Sequence, residues 1–210
     1  MINELEKIKI EVASFMRRLY QQRLTTTSGG NISVRFGEKI LITPSGTDKG
    51  LLKAEEVGIM DIAGRIVGGS FKPSIESGIH LGIYRSRRNV NAIVHAHPVA
   101  ASAFAASQAP LKTSYHAEAH VILGEVGYVD YCCPGTTELA DLVTHAACEH
   151  NCLLLRNHGA LCVGGTLLQA FDRLEVLEAA AQVNLIMRGA LKDDAVELSN
   201  EALKELGRFV

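Results

Sequence analysis

The chain has 210 residues, 47% of them apolar and 21% charged, enough to bury a sizeable core in one domain and too apolar for disorder. A net charge of −2, scattered Lys and Arg and no Trp leave neither a basic stripe for duplex binding nor a platform for stacking bases, so no nucleic-acid partner is expected. No apolar run approaches the roughly 20 residues of a membrane span, and the opening "MINELEKIKIEV" is charged and helical rather than a secretory leader.

Residues 3–24 place Leu5, Ile8, Val12, Phe15, Met16 and Leu19 on one stripe, which predicts an amphipathic helix. "TTTSGGN" ends it. Alternation in "NISVRF" and the following "KILIT" predict a β-hairpin over 31–43, and another strand is expected around "VGIMDI" before a turn at Gly64. A helix is expected from Pro73-Ser74 to about Arg88, with Ser74 as N-cap and Glu76 in the first turn, where the dipole favours an anion. "NAIVHAH" reads as a strand, 99–107 as a small-residue helix and 119–131 as a strand pair. "PGTTEL" opens a helix to about His150. Two strands in "CLLLRNHGALCVGG" meet at Asn157-His158-Gly159, a long helix covers about 166–188, and a short one 199–206. Interleaved strands and helices with hairpins at both ends predict a mixed sheet covered by helices, in one domain spanning 1–210. Five cysteines, with Cys132 and Cys133 adjacent, argue against a disulfide framework and for a reducing cytoplasm.

The chemistry concentrates in histidines. On a strand, residues i and i+2 share a face, so His95 and His97 in "IVHAHPVA" are spaced to share one divalent ion. A hydrogen-bonded pair near a sheet end is the structural alternative. His158 in "RNHGA" offers a third imidazole, and Gly159 permits close approach beside it. Three neutral imidazoles with an open position are the pattern of a catalytic zinc, and Glu76 in "KPSIESGIH" is the carboxylate able to ligate it or act as a base. The rival groups are weaker. Cys148, His150 and Cys152 lack a matching second pair. His116 and His120 stand in what reads as an extended region, His80 reads as a supporting or packing residue, and His145 as structural. "TSGGN" (27–31), "TPSG" (43–46) and "KPS" (72–74) leave backbone N–H groups free for an anion, although each alone is a turn.

In their order and spacing, "SGGNISVR", "ITPSG", "KPSIE", "IVHAHP", "RNHGAL" and the "EVLEAAAQ" helix make the chain resemble the class II aldolase/adducin family, and most its L-fuculose-1-phosphate aldolase branch. The resemblance covers nearly the whole chain. It implies an α/β/α fold with a largely antiparallel sheet, assembled as a homotetramer with sites at subunit interfaces. It implies zinc, with manganese or cobalt also suited, on His95, His97 and His158. Glu76 would ligate the free metal and serve as acid/base. Gly30, Asn31, Ser45, Gly46 and Ser74 would hold a substrate phosphate. The implied reaction is cleavage of a ketose 1-phosphate, L-fuculose 1-phosphate or a related pentulose or deoxypentulose 1-phosphate, to dihydroxyacetone phosphate and an aldehyde.

Three departures stand out. Ile75 replaces a second hydroxyl after the proline, and no tyrosine follows Tyr131 to match a C-terminal one. The remaining family tyrosine aligns with Tyr115 or, without a gap, with His116. Glu118 matches an acidic position that serves as base in methylthioribulose-1-phosphate dehydratases. The alternatives on the same site are that dehydration or a ribulose-5-phosphate 4-epimerisation; a non-catalytic, adducin-like interaction domain is the third.

Overall fold

The computed structural model describes residues 3–192 and 194–209. In chain order it has α1 (Glu4–Gln21), β1 (Asn31–Phe36), β2 (Lys39–Ile42), β3 (Gly58–Asp61), β4 (Ile66–Gly68), α2 (Ser77–Ser86), β5 (Ala92–Ala96) and α3 (Val99–Ala105). There follow α4 (Ala117–Leu123), β6 (Val126–Val129), α5 (Thr137–Glu149), β7 (Cys152–Leu155), β8 (Gly159–Gly164), α6 (Leu167–Arg188) and α7 (Asn200–Leu206). The long helices are capped where the sequence offers a short polar side chain. Asn3 accepts the Glu6 amide, Thr136 that of Leu139 and Thr166 that of Gln169.

The strands form one sheet in the order β4-β3-β2-β1-β5-β8-β7-β6, antiparallel throughout except for β6 beside β7. Strand alternation divides the core between two faces. Ile32, Leu41, Ala92, Val94, Ala96, Cys152, Leu154, Ala160 and Cys162 pack with α1, α3, α4 and α6. Ile40, Ile42, Met60, Ile93, Leu153, Leu155, Leu161 and Val163 pack with α2 and α5. The result is the three-layer α/β/α arrangement with a largely antiparallel sheet that the sequence led us to expect. No helix among the described residues is long and apolar enough to cross a membrane.

Three local expectations are corrected. The predicted strand pair within 119–131 is instead helix α4 followed by the single strand β6. The β-branched run that reads as extended is broken by Gly124 at φ +61, and Ala119 and Leu123, one helical turn apart, are both buried. Ser74 does not cap α2, which starts at Ser77 with Glu76 in the cap position. Ser74 Oγ instead accepts the Glu76 amide at 3.2 Å, a local turn that delays the helix and turns Glu76 toward the sheet. The segment after Gly64 adds a short edge strand, β4, where only a turn was expected.

Because β1 and β8 both run antiparallel to β5, β1 begins, β5 ends and β8 begins at the same edge of the sheet. That edge collects the loops and histidines considered next.

Candidate active site

β5 sends Ala92, Val94 and Ala96 into the core beneath α6, so alternation turns His95 to the face of Ile93, toward α2. His95 pairs across the sheet with Asn31 on β1 and Leu161 on β8. His97 lies just past the strand, its amide donating to Leu24 O at 3.1 Å. His158 occupies the β7–β8 turn, beside Asn157 in the left-handed region (φ 53). Gly159 makes this convergence possible. A Cβ there would lie 2.6 Å from both Ala96 O and His97 Cδ2, so β8 can begin against His97 only without a side chain.

The three rings form a cluster. Centroids are 4.9 Å apart for His95–His97 and His95–His158, and 5.5 Å for His97–His158. One candidate ligand atom from each lies within 4.8 Å of the others. His95 Nδ1 is 2.9 Å from Ala160 O; a carbonyl only accepts, so that nitrogen carries the proton and Nε2 keeps its lone pair. His95 Nε2, His97 Nε2 and His158 Nδ1 are buried without a hydrogen-bond partner. Buried nitrogens without partners are unfavourable as they stand, and three clustered imidazoles suit a divalent ion. The residues therefore fit the metal that the sequence pointed to.

Glu76 meets the cluster from the start of α2. Its Oε1 is 2.9 Å from His158 Nε2 and its Oε2 is 3.3 Å from His95 Nε2. Burial alone would raise its pKa. The His95 and His158 rings and the Asn31 amide outweigh that and hold the carboxyl ionised, well below the usual carboxylate range. Burial lowers His95, and it takes His97, together with the neighbouring imidazoles, to about 4, so both rings are neutral at pH 7.

A buried chain of hydrogen bonds sets the direction of the Asn31 side chain. Asn31 Oδ1 can only accept, so His80 Nε2, 2.5 Å away, is its donor. His80 Nδ1 then accepts from Ser33 Oγ at 2.6 Å, and Ser33 in turn accepts from Tyr84 OH at 2.8 Å. Burial keeps His80 neutral by lowering it to about 3. With its oxygen so engaged, Asn31 presents Nδ2 to Glu76 Oε2 at 2.9 Å and to Ser74 Oγ at 3.2 Å. The role of support given to His80 is thus observed in detail.

The three small-residue loops meet at this edge. A cleft of about 230 Å³ is lined by Gly30, Asn31, Ser45 and Ser74 together with Glu76, His97 and His158. The loops are tied to one another: Ser45 N donates to Lys72 O and Lys49 N to Thr27 O, both at 2.8 Å. Gly46, at φ +71, completes the 43–46 turn without lining the cleft. Tyr115 and Glu118 lie elsewhere in the chain. Lys112 Nζ sits 5.5 Å from the Tyr115 ring centroid, Glu118 is exposed in the first turn of α4, and neither lines the cleft. Cys148 is an exposed helical residue and Cys152 a buried strand residue, so they form no thiolate site together with His150.

Sequence reasoning missed Lys49, Ser33 and Tyr84. Ser33 stands two residues after Asn31 on the same strand face, and Tyr84 follows His80 and Glu76 at intervals of four. Those periodicities were available signals. Lys49 had none.

The family model for the Class II Aldolase and Adducin N-terminal domain matches residues 10–185. The chain belongs to the class II aldolase/adducin family. It is 41% identical over 169 residues to a protein of Methanococcus vannielii named L-fuculose phosphate aldolase, covering 80% of this chain and 91% of that one. It is 30% identical over 181 residues to a Haemophilus influenzae protein named 3-oxo-tetronate 4-phosphate decarboxylase, covering 82% and 84%. A solved structure titled L-fuculose 1-phosphate aldolase superposes with a TM-score of 0.87 at 31% identity, over 99% of this chain and 97% of that one. Class II aldolase/adducin members thus share both the sequence and the fold, and those named here include more than one reaction on phosphorylated compounds.

Proposed function

We propose that the chain is a metal-dependent class II aldolase that cleaves a ketose 1-phosphate, L-fuculose 1-phosphate or a related pentulose or deoxypentulose 1-phosphate, to dihydroxyacetone phosphate and an aldehyde. The observation that carries this reading is one cleft that His97, His158 and Glu76 line together with the three amide-rich loops, with the buried His95 completing the histidine cluster beside it.

His95, His97 and His158 would hold the ion, with Glu76 able to ligate it in the absence of substrate; zinc suits this set, as do manganese and cobalt. When bound, such an ion supplies Lewis-acid stabilisation of the negative charge that develops on the ketose oxygens. The loops carrying Gly30, Asn31, Ser45, Gly46 and Ser74 would fix the phosphate and so orient the C3–C4 bond at the cluster. Cleavage of that bond removes the C4 hydroxyl proton, turns C4 into the aldehyde carbonyl and leaves the electron pair on C3. Glu76, ionised at pH 7 and held by Asn31, would relay a proton taken from solvent to C3. Removal of the C4 hydroxyl proton then falls to a group outside the single-chain cleft. Tyr115 or Glu118 of a neighbouring copy would supply it, in a homotetramer with sites between subunits.

Retention of Glu76 supports the aldolase over dehydration, which needs only Glu118 and the ion. A complete cluster is no requirement of an interaction domain. The test is a panel of L-fuculose 1-phosphate, ribulose phosphates, the methylthio analogue and 3-oxo-tetronate 4-phosphate, read by product identity. Dihydroxyacetone phosphate from a ketose 1-phosphate supports the proposal. Carbon dioxide, water loss or an epimer as the sole product moves the chain to another reaction on the same site.

A further inference from the structure

We infer that Lys49 supplies the fixed positive charge that receives the substrate's phosphate, an assignment that rests on the sugar-phosphate reading above. Lys49 is only 1% exposed and is the one lysine or arginine buried among the described residues. No described carboxylate lies within 4.0 Å of its ammonium group, whose hydrogen bond goes to the carbonyl of Pro44. An ammonium has three donors, and one carbonyl engages one of them.

A buried cation without a counter-ion is unfavourable, and proteins retain one where an anion completes it. The place where that anion would sit is visible. Lys49 lines the same cleft as Gly30, Asn31, Ser45 and Ser74, whose amides and hydroxyls are neutral donors. Its backbone donates to Thr27 O at 2.8 Å while its side chain holds Pro44, so one residue ties the 27–31 loop to the 43–46 loop. The state of the ammonium agrees with this. Burial lowers its pKa from 10.5 to about 8, against a smaller opposing pull from Glu56, so it remains charged at pH 7.

A phosphate monoester entering the cleft would therefore find its counter-charge already fixed between two of its loops, in the cleft that His97 and His158 also line. Ile75, 64% exposed, offers no second hydroxyl beside Ser74, which leaves Lys49 a larger share of phosphate recognition. Unphosphorylated ligands would draw nothing from it.

The test measures binding of inorganic phosphate, dihydroxyacetone phosphate and dihydroxyacetone to the metal-loaded full chain by calorimetry, for wild type, Lys49→Gln, Lys49→Met and Lys49→Arg. Gln keeps a donor for Pro44 without the charge. We expect Lys49→Gln and Lys49→Met to weaken both phosphates about 30-fold, with dihydroxyacetone unchanged and Lys49→Arg recovering most of the loss. Unchanged phosphate affinity in Lys49→Gln overturns the assignment. Should the uncharged variants not fold, the Lys49 Nζ resonance of [15N]lysine-labelled wild type should move on addition of phosphate; a stationary resonance overturns it equally. Wild type that binds dihydroxyacetone phosphate through Lys49 yet cleaves no ketose phosphate keeps this inference and sinks the proposed reaction. Wild type that binds neither phosphate sinks both.

Discussion

Asn31 Nδ2 donates to Glu76 Oε2 at 2.9 Å, and every donor in the chain behind it, from Tyr84 through Ser33 and His80, points the same way. The amide therefore cannot flip without leaving Glu76 facing a carbonyl oxygen and His80 facing an amino group. Ser33→Ala breaks the chain in its middle and leaves His80 Nδ1 and Tyr84 OH buried without partners. It should lower stability by about 1–3 kcal/mol in urea unfolding. Asn31→Ala should reduce turnover more than it reduces stability, because it releases Glu76 directly.

Metal binding is the next expectation. His97→Ala removes one of the three ring nitrogens and should lower zinc affinity at least about 100-fold, read by competition with a chromogenic chelator. Zinc should raise the melting temperature of wild type and leave that of His97→Ala nearly unmoved. An unchanged zinc response in the variant would place the ion elsewhere.

Gly30 gives a backbone test. It has φ +67, and a Cβ would lie 2.7 Å from His95 O and 2.9 Å from Thr25 Oγ1. Gly30→Ala should cost on the order of 2 kcal/mol in chemical unfolding and weaken zinc binding, since the displaced backbone carries His95. Gly37→Ala, also at positive φ (φ 60) but with open space around it, should carry only the backbone part and leave zinc affinity alone.

The pH dependence of stability follows from Lys49. Its folded-state pKa of about 8 lies below the value of 10.5 for a free lysine. Between those limits the unfolded chain still holds a proton that the folded chain has released, so stability rises with pH across the window and is lost as pH falls through it. In metal-free, phosphate-free protein, wild type should gain about 3 kcal/mol on Lys49→Met between roughly pH 8 and 10.5. A flat difference would mean that the ammonium is solvated.

How far these features were legible in the sequence depended on the distance over which the signal acts. Strand parity turned His95 toward α2, whereas His97 lies just past β5 and reaches the same cluster from there; the glycine after His158 marked a close approach that the structure shows against His97. The three loops were visible one by one, but only the order of β1, β5 and β8 in the sheet brings them together. Segment 119–131 was misread because β-branched residues on both sides of Gly124 resemble one extended run, whereas burial of Ala119 and Leu123 makes its first half helical. Ser74 looked like a helix cap because a hydroxyl before an apolar pattern serves either as cap or as local turn, and the contacts with Glu76 and Asn31 chose the turn. Lys49 resembles any surface lysine until the fold closes over it.

The central claim is that the histidine cluster holds the ion on which cleavage of a ketose phosphate depends. It is tested most directly by titrating metal-free protein with zinc while following release of dihydroxyacetone phosphate from L-fuculose 1-phosphate and its pentulose analogues. The account predicts release that rises in proportion to added zinc and levels off at one ion per chain, with none in the metal-free protein. Undiminished cleavage without metal, or one tightly held zinc per chain with no cleavage of any of these ketose phosphates, would contradict it.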